Sequence, residues 1–111
     1  MDFVDLLFLF DDLSKARAAI DGEFGAWLTR SVEDRIPGYR VLGFFENGYR
    51  HISNRLRPVR TLEDMKAMKI RIMPGDIHRR SFELAGAVPC PLDLKPGLEA
   101  IVSGAVDGQE N

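Results

Sequence analysis

The spacing of apolar positions changes part-way along this chain. Residues 3–10 form an almost unbroken apolar run, interrupted by Asp5, that suits a strand or a buried extended loop. Asp11 and Asp12 then offer side-chain oxygens to the free amides of a first helical turn, and Leu13, Ala16, Arg17, Ala19 and Ile20 follow at helical spacing. Asp21-Gly22 breaks that helix. A second is predicted over residues 23–34, with Phe24, Trp27, Leu28 and Val32 turned inward and Trp27 as a core anchor. After the Pro37-Gly38 turn, YRVLGFF (residues 39–45) reads as a buried strand. Asn47-Gly48 suits a bend with positive φ at the glycine, and residues 49–53 look extended again.

Arg57-Pro58 ends that segment, because the residue before proline is pushed out of helical geometry. Thr61 is expected to cap a short helix with Asp64 as its capping-box partner, and Leu62, Met65 and Met68 to face inward. Residues 69–73 read as a strand, with Ile70 and Ile72 on one face and Lys69, Arg71 and Met73 on the other. Asp76 is expected to cap a helix reaching residue 85, closed by Gly86. Residues 88–92 read as a short strand whose Pro89 and Pro91 suit either an edge strand or the ends of a strand. Pro96 opens a helix over 96–103, Gly104 stops it, and a last strand starts at Ala105. Strand, helix, strand, helix, strand from Lys69 onward means right-handed crossovers and a parallel sheet, hence an α/β fold. The last strand is expected at an open end of the sheet. Because the chain stops directly after it, the sequence reads as a piece of a longer protein.

Charge alters this picture locally rather than globally. A net charge of -2 argues against a nucleic-acid-binding domain, which would be clearly basic. Yet Arg50, His51, Arg55, Arg57 and Arg60 crowd into one short run, which by itself fits a solvated basic loop. The 45% hydrophobic and 29% charged content fits a soluble globular chain, and residues 3–10 are too short to span a membrane. Met1-Asp2 opens no signal peptide, which would place the chain in the cytoplasm if residue 1 were the natural start.

Candidate chemistry is sparse. A single cysteine, Cys90, allows no internal disulfide, and its apolar setting between two prolines suits a structural thiol. His51 and His78 lack the spaced partners of a metal site, and no glycine-rich phosphate loop occurs, so neither metal nor cofactor is expected. In an open α/β sheet, ligands bind beyond the carboxyl ends of the strands. Arg71 lies near one such end and Asn111 just past another, and a guanidinium there offers a planar fork for a carboxylate.

Four stretches together carry a resemblance: ENGYRHISN, R-P-V-R-T-x-E-D-M-K, KIRIM followed by a helix into GAVP, and AVDGQEN. With them the chain resembles the solute receptors of TRAP transporters (tripartite ATP-independent periplasmic transporters), the C4-dicarboxylate-binding DctP type in particular. The resemblance implies part of a two-domain fold like that of periplasmic binding proteins, with mostly parallel sheets closing around a cleft. Residues 1–47 would end the first domain and 48–111 would form the first half of the second. It implies a non-enzymatic periplasmic receptor that takes a small organic acid and delivers it to membrane subunits. Arg71 matches the family arginine that pairs with the substrate carboxylate, Asn111 the asparagine lining the same pocket, and Arg50, or His51 in a register shifted by one, a second cationic contact. The signal peptide would lie outside this stretch. Pro89-Cys90-Pro91 fits a family Pro-x-Pro pattern, whereas Asp93-Leu94-Lys95-Pro96-Gly97 stands where the family has a polar-Glu-x-aromatic pattern. Rival readings are a cytoplasmic ligand-sensing domain of similar hinge fold, an enzyme using Cys90 or His51, and a truncated piece that binds nothing.

Overall fold

A computed structural model of the chain describes residues 9–111, so most of the apolar run at 3–10 lies outside the described residues. The described chain forms two compact units, residues 9–48 and residues 49–111.

The first unit is a helical pair. Asp12 caps α1 (Leu13–Asp21) by accepting from the Lys15 amide at 2.9 Å, and Gly22 separates α1 from α2 (Glu23–Arg35). Leu28 is buried, but Trp27 is 46% exposed and stacks on Phe24 at 5.9 Å instead of anchoring a core. The expected strand at 39–45 does not form: Leu42 and Phe45 are 98% and 99% exposed. A strand exists only through its ladder, and among the described residues nothing pairs with this segment. Glu33 ties its start instead, accepting from the Val41 amide at 3.1 Å and from Arg40 at 2.7 Å.

The second unit is a four-stranded sheet in the order β1-β4-β2-β3, formed by β1 (Ile52–Asn54), β2 (Lys69–Ile72), β3 (Val88–Pro91) and β4 (Gly108–Glu110). β2 runs parallel to both β3 and β4, as the strand–helix alternation requires, and β1 is antiparallel to β4. β4 is therefore an inner strand, not an open end, because the chain before residue 58 returns to cover it. That pairing is non-local and leaves no mark in the pattern around residue 108. β3 is an edge, where its prolines remove no needed ladder bond.

Helix α3 (Asp76–Leu84) links β2 to β3, and α4 (Leu94–Ser103) links β3 to β4. Phe82 of α3 joins Ile70 and Ile72 in the core, with Met65, Met68 and Ala87. Strand alternation turns Arg71 to the opposite face, where α4 lies against it through Gly97. The sheet thus carries one helix on each face. Burying Ile70 and Ile72 completely is worth about 2 kcal/mol each, and their period of two is what fixes the strand's register.

Local details differ from expectation in instructive ways. Thr61 does not accept an amide. Asp64 reaches back to the amides of Arg60 and Thr61, each at 2.9 Å, and holds a 3-10 turn (Glu63–Met65) that leaves Leu62 exposed. Asp76 is the first residue of α3 and not its cap, which is Gly75. α4 begins at Leu94, so Pro96 falls within the first turn, where its missing N–H costs nothing. Gly48 and Gly86 take the positive φ expected of them, 76° and 82°.

Candidate functional site

From β2 the chain crosses through α3 to β3 on one side, then through α4 back over β2 to β4 on the other. The strand order therefore reverses between β2 and β4. A crevice outside the carboxyl ends of strands at such a reversal is the preferred ligand position of open α/β sheets. Ile72 and Glu110 end the two strands there, and Met73 and Asn111 follow them. Because β1 is antiparallel to β4, its leading residues Arg50 and His51 arrive at the same edge. His51 and Asn111 exchange both backbone hydrogen bonds, at 2.9 and 3.1 Å, which fixes the backbone from which the exposed Asn111 side chain projects. Register and strand alternation put Asn111 on the face of Arg71 and Gln109, whereas Arg50, two residues before Ile52, falls with Glu110 on the other face of the same end of the sheet.

Arg71 is the unusual member. It is 3% exposed at the centre of the sheet, paired in register with Cys90 on one side and Gln109 on the other. Its Nε donates to the Leu92 carbonyl at 2.8 Å. No carboxylate pairs with it among the described residues, and its terminal nitrogens are not sealed from solvent. A buried guanidinium without a counter-charge is costly, and the cost is relieved when an anion arrives.

Arg50 has a different situation. It forks onto Glu110, with Nε on one carboxylate oxygen and Nη2 on the other at 2.9 Å. The Glu110 side chain is 4% exposed and that of Arg50 31%, so the arginine neutralises a buried acid and reaches toward solvent. Two further arginines of the basic run are held by the fold. Arg55 pairs with Asp107 at 2.9 Å, and Arg57 donates to the carbonyls of Asp64 and Lys66. Arg55 and Arg57 are thus tied to the fold from exposed positions. A groove of about 780 Å³, lined by residues 50–59, follows β1 and the loop after it; it takes in Arg50 but neither Arg71 nor Asn111.

Two residues at this edge escape a reading of the sequence. Gln109 is the register partner of Arg71 in a parallel pair, so both side chains emerge on one face. Glu110 supplies the buried charge opposite Arg50. The run Asp107-Gly108-Gln109-Glu110-Asn111, polar at every position but the glycine, was the available signal. Cys90 is half-buried, and its thiol lies 3.7 Å from the Val88 carbonyl.

Across residues 1–111 the chain matches the bacterial extracellular solute-binding protein family 7, DctP. The chain belongs to this family. A solute-binding protein of Verminephrobacter eiseniae is 37% identical over 97% of this chain and 32% of its own length. Among solved structures, a TRAP periplasmic solute-binding protein from Ralstonia eutropha H16, with bound (S)-2-acetolactate, superimposes with a TM-score of 0.93 at 35% identity, covering 99% of this chain and 34% of that one. Another, from Sulfitobacter sp. NAS-14.1 with bound β-D-galacturonate, gives 0.93 at 33% identity over 99% of this chain and 36% of that one. The chain spans about a third of the length of the curated relatives it matches. DctP-family proteins are solute-binding receptors and not enzymes, which removes the reading of Cys90 or His51 as a nucleophile or base.

Proposed function

We propose that the whole protein is a periplasmic receptor of a TRAP transporter that captures a small organic acid and hands it to the membrane subunits. In this reading residues 1–47 close the first domain of a two-domain receptor and 48–111 open the second. The observation that carries it is Arg71: a buried guanidinium, held at Nε, with no acidic partner among the described residues, at the edge where the strand order reverses. Arg71 forks onto the ligand carboxylate with its terminal nitrogens. Asn111 adds a neutral donor and acceptor beside it, and Arg50, tied to Glu110, lines the rim. Acetolactate and galacturonate, the molecules bound by two similar structures, share a carboxylate and differ elsewhere, which fits an anchor common to many acids.

Titration calorimetry on the full-length protein with galacturonate, acetolactate and succinate tests this. Arg71→Ala is expected to weaken binding of whichever acid the wild type takes by about 3 kcal/mol or more, since truncation strips one partner from a desolvated charge pair. An unchanged affinity would refute the assignment.

A further inference from the structure

We infer that Gly97 positions Arg71 for its ligand: the missing side chain on α4 is the notch in which the arginine stem lies. This rests on the reading of Arg71 as the carboxylate anchor.

A long side chain that leaves the middle of a sheet beneath a covering helix must find room between the two layers. At Gly97 it does. A Cβ there would fall 2.8 Å from Arg71 Nε, closer than real Cβ atoms come to a neighbour, and a tight 3.1 Å from Cγ and 3.2 Å from Cδ, so the stem would have to shift. Gly97 is the buried residue of α4, three residues inside its start, where glycine weakens a helix relative to alanine. The helix's own stability therefore does not explain the residue, whereas the stem packed against it does. The Leu92 carbonyl, 2.8 Å from Nε, grips the same side chain from the end of β3. Notch and carbonyl together fix the stem and the plane of the guanidinium, and leave the two terminal nitrogens to meet the guest. An arginine fixed in this way loses little rotamer freedom on binding, which is how preorganisation raises affinity.

The test is a double-mutant cycle in the full-length protein, with calorimetry and thermal unfolding of the unliganded form. The probe is whichever of galacturonate, acetolactate and succinate the wild type binds. Gly97→Ala is expected to lower affinity at least tenfold while the unliganded melting temperature holds or rises, as an alanine in a helix should otherwise help. In an Arg71→Ala background the same change should have no further effect on affinity. If Gly97→Ala binds within twofold of wild type while Arg71→Ala binds nothing, the anchor stands and the positioning role is wrong. If Arg71→Ala binds normally, or the wild type binds none of the three acids, both readings fall. Should Gly97→Ala fail to fold, Gly97→Ala with Arg71→Ala must fold, because the notch serves only the stem. A double variant that also fails would assign Gly97 to helix–sheet packing alone.

Discussion

Removing Arg50 should be far more damaging than neutralising its partner Glu110. With Nη2 and Oε2 2.9 Å apart and an effective dielectric near 20, the gross attraction is about 6 kcal/mol, most of it offset by desolvation. The asymmetry of exposure decides what each deletion leaves behind. Arg50→Ala strands a carboxylate whose side chain is 4% exposed, whereas Glu110→Gln leaves a guanidinium already 31% exposed, which can hydrate. Breaking a fully buried pair costs about 3–5 kcal/mol, and the partial exposure of Arg50 brings the expectation for Arg50→Ala to about 2–3 kcal/mol. Glu110→Gln should cost under about 1 kcal/mol. The double variant should be more stable than Arg50→Ala alone, since the stranded charge is gone. Urea unfolding of the four full-length proteins at pH 7 measures all three values. Equal costs for the two single changes, or strict additivity in the double, would refute the account of a buried acid held by its counter-ion. If instead Arg50→Ala weakens ligand binding and leaves stability intact, Arg50 is a ligand contact first.

Other positions give independent checks. A Cβ on Gly108 would lie 2.3 Å from the Ser53 carbonyl and 2.6 Å from Asn54 Cβ, so Gly108→Ala must push β1 off β4. The expected loss is about 3 kcal/mol, the upper end for overpacking, read as a lower urea midpoint. Hydrogen bonds from the amides of Arg60 and Thr61 hold Asp64 below its ordinary pKa of 3.8. A depressed acid contributes fully above that unfolded value and loses its contribution as pH falls through the lower folded one. Stability from the 58–65 turn should therefore drop below about pH 3.8, and Asp64→Asn should flatten that part of the stability–pH curve. An unaltered curve would show that the two hydrogen bonds do not bear on stability.

What could be read from sequence here was whatever is decided locally. The β2–α3–β3–α4–β4 order follows from the switch between periods of two and 3.6 and from Gly86 and Gly104, all within reach of a few neighbours. Arg71 and Asn111 could be placed near strand ends for the same reason. Residues 39–45 carry a strand's composition, but composition cannot supply a partner, and the described chain offers none. The inner position of β4 depends on β1 returning from more than fifty residues away, with Ile52 opposite Glu110. The match of Gly97 to Arg71 and of Arg50 to Glu110 likewise joins residues distant in sequence, so each looked like an ordinary helix glycine or surface cation.

The two ends of this sheet are built on opposite terms. At the end where β2 and β4 begin, Asp107 accepts from the Lys69 amide and from Arg55, both at 2.9 Å, and its own amide donates to the Lys69 carbonyl at 2.8 Å. There Asp107 has its charge matched by Arg55 and by a backbone amide. At the other end Arg71 is buried with a single hydrogen bond to a carbonyl and no carboxylate among the described residues. A fold selected only for stability would place an apolar side chain at that position, because replacing an uncompensated buried charge is stabilising. Arg71→Met should therefore raise the stability of the unliganded full-length protein by about 1 kcal/mol while abolishing carboxylate binding. Asp107→Ala should do the reverse, lowering the melting temperature and leaving the affinity of the folded protein unchanged. Thermal unfolding and calorimetry on both variants separate the two roles. A destabilised Arg71→Met would mean that the arginine serves the fold, and that the open end of the sheet owes its charge to packing rather than to a guest.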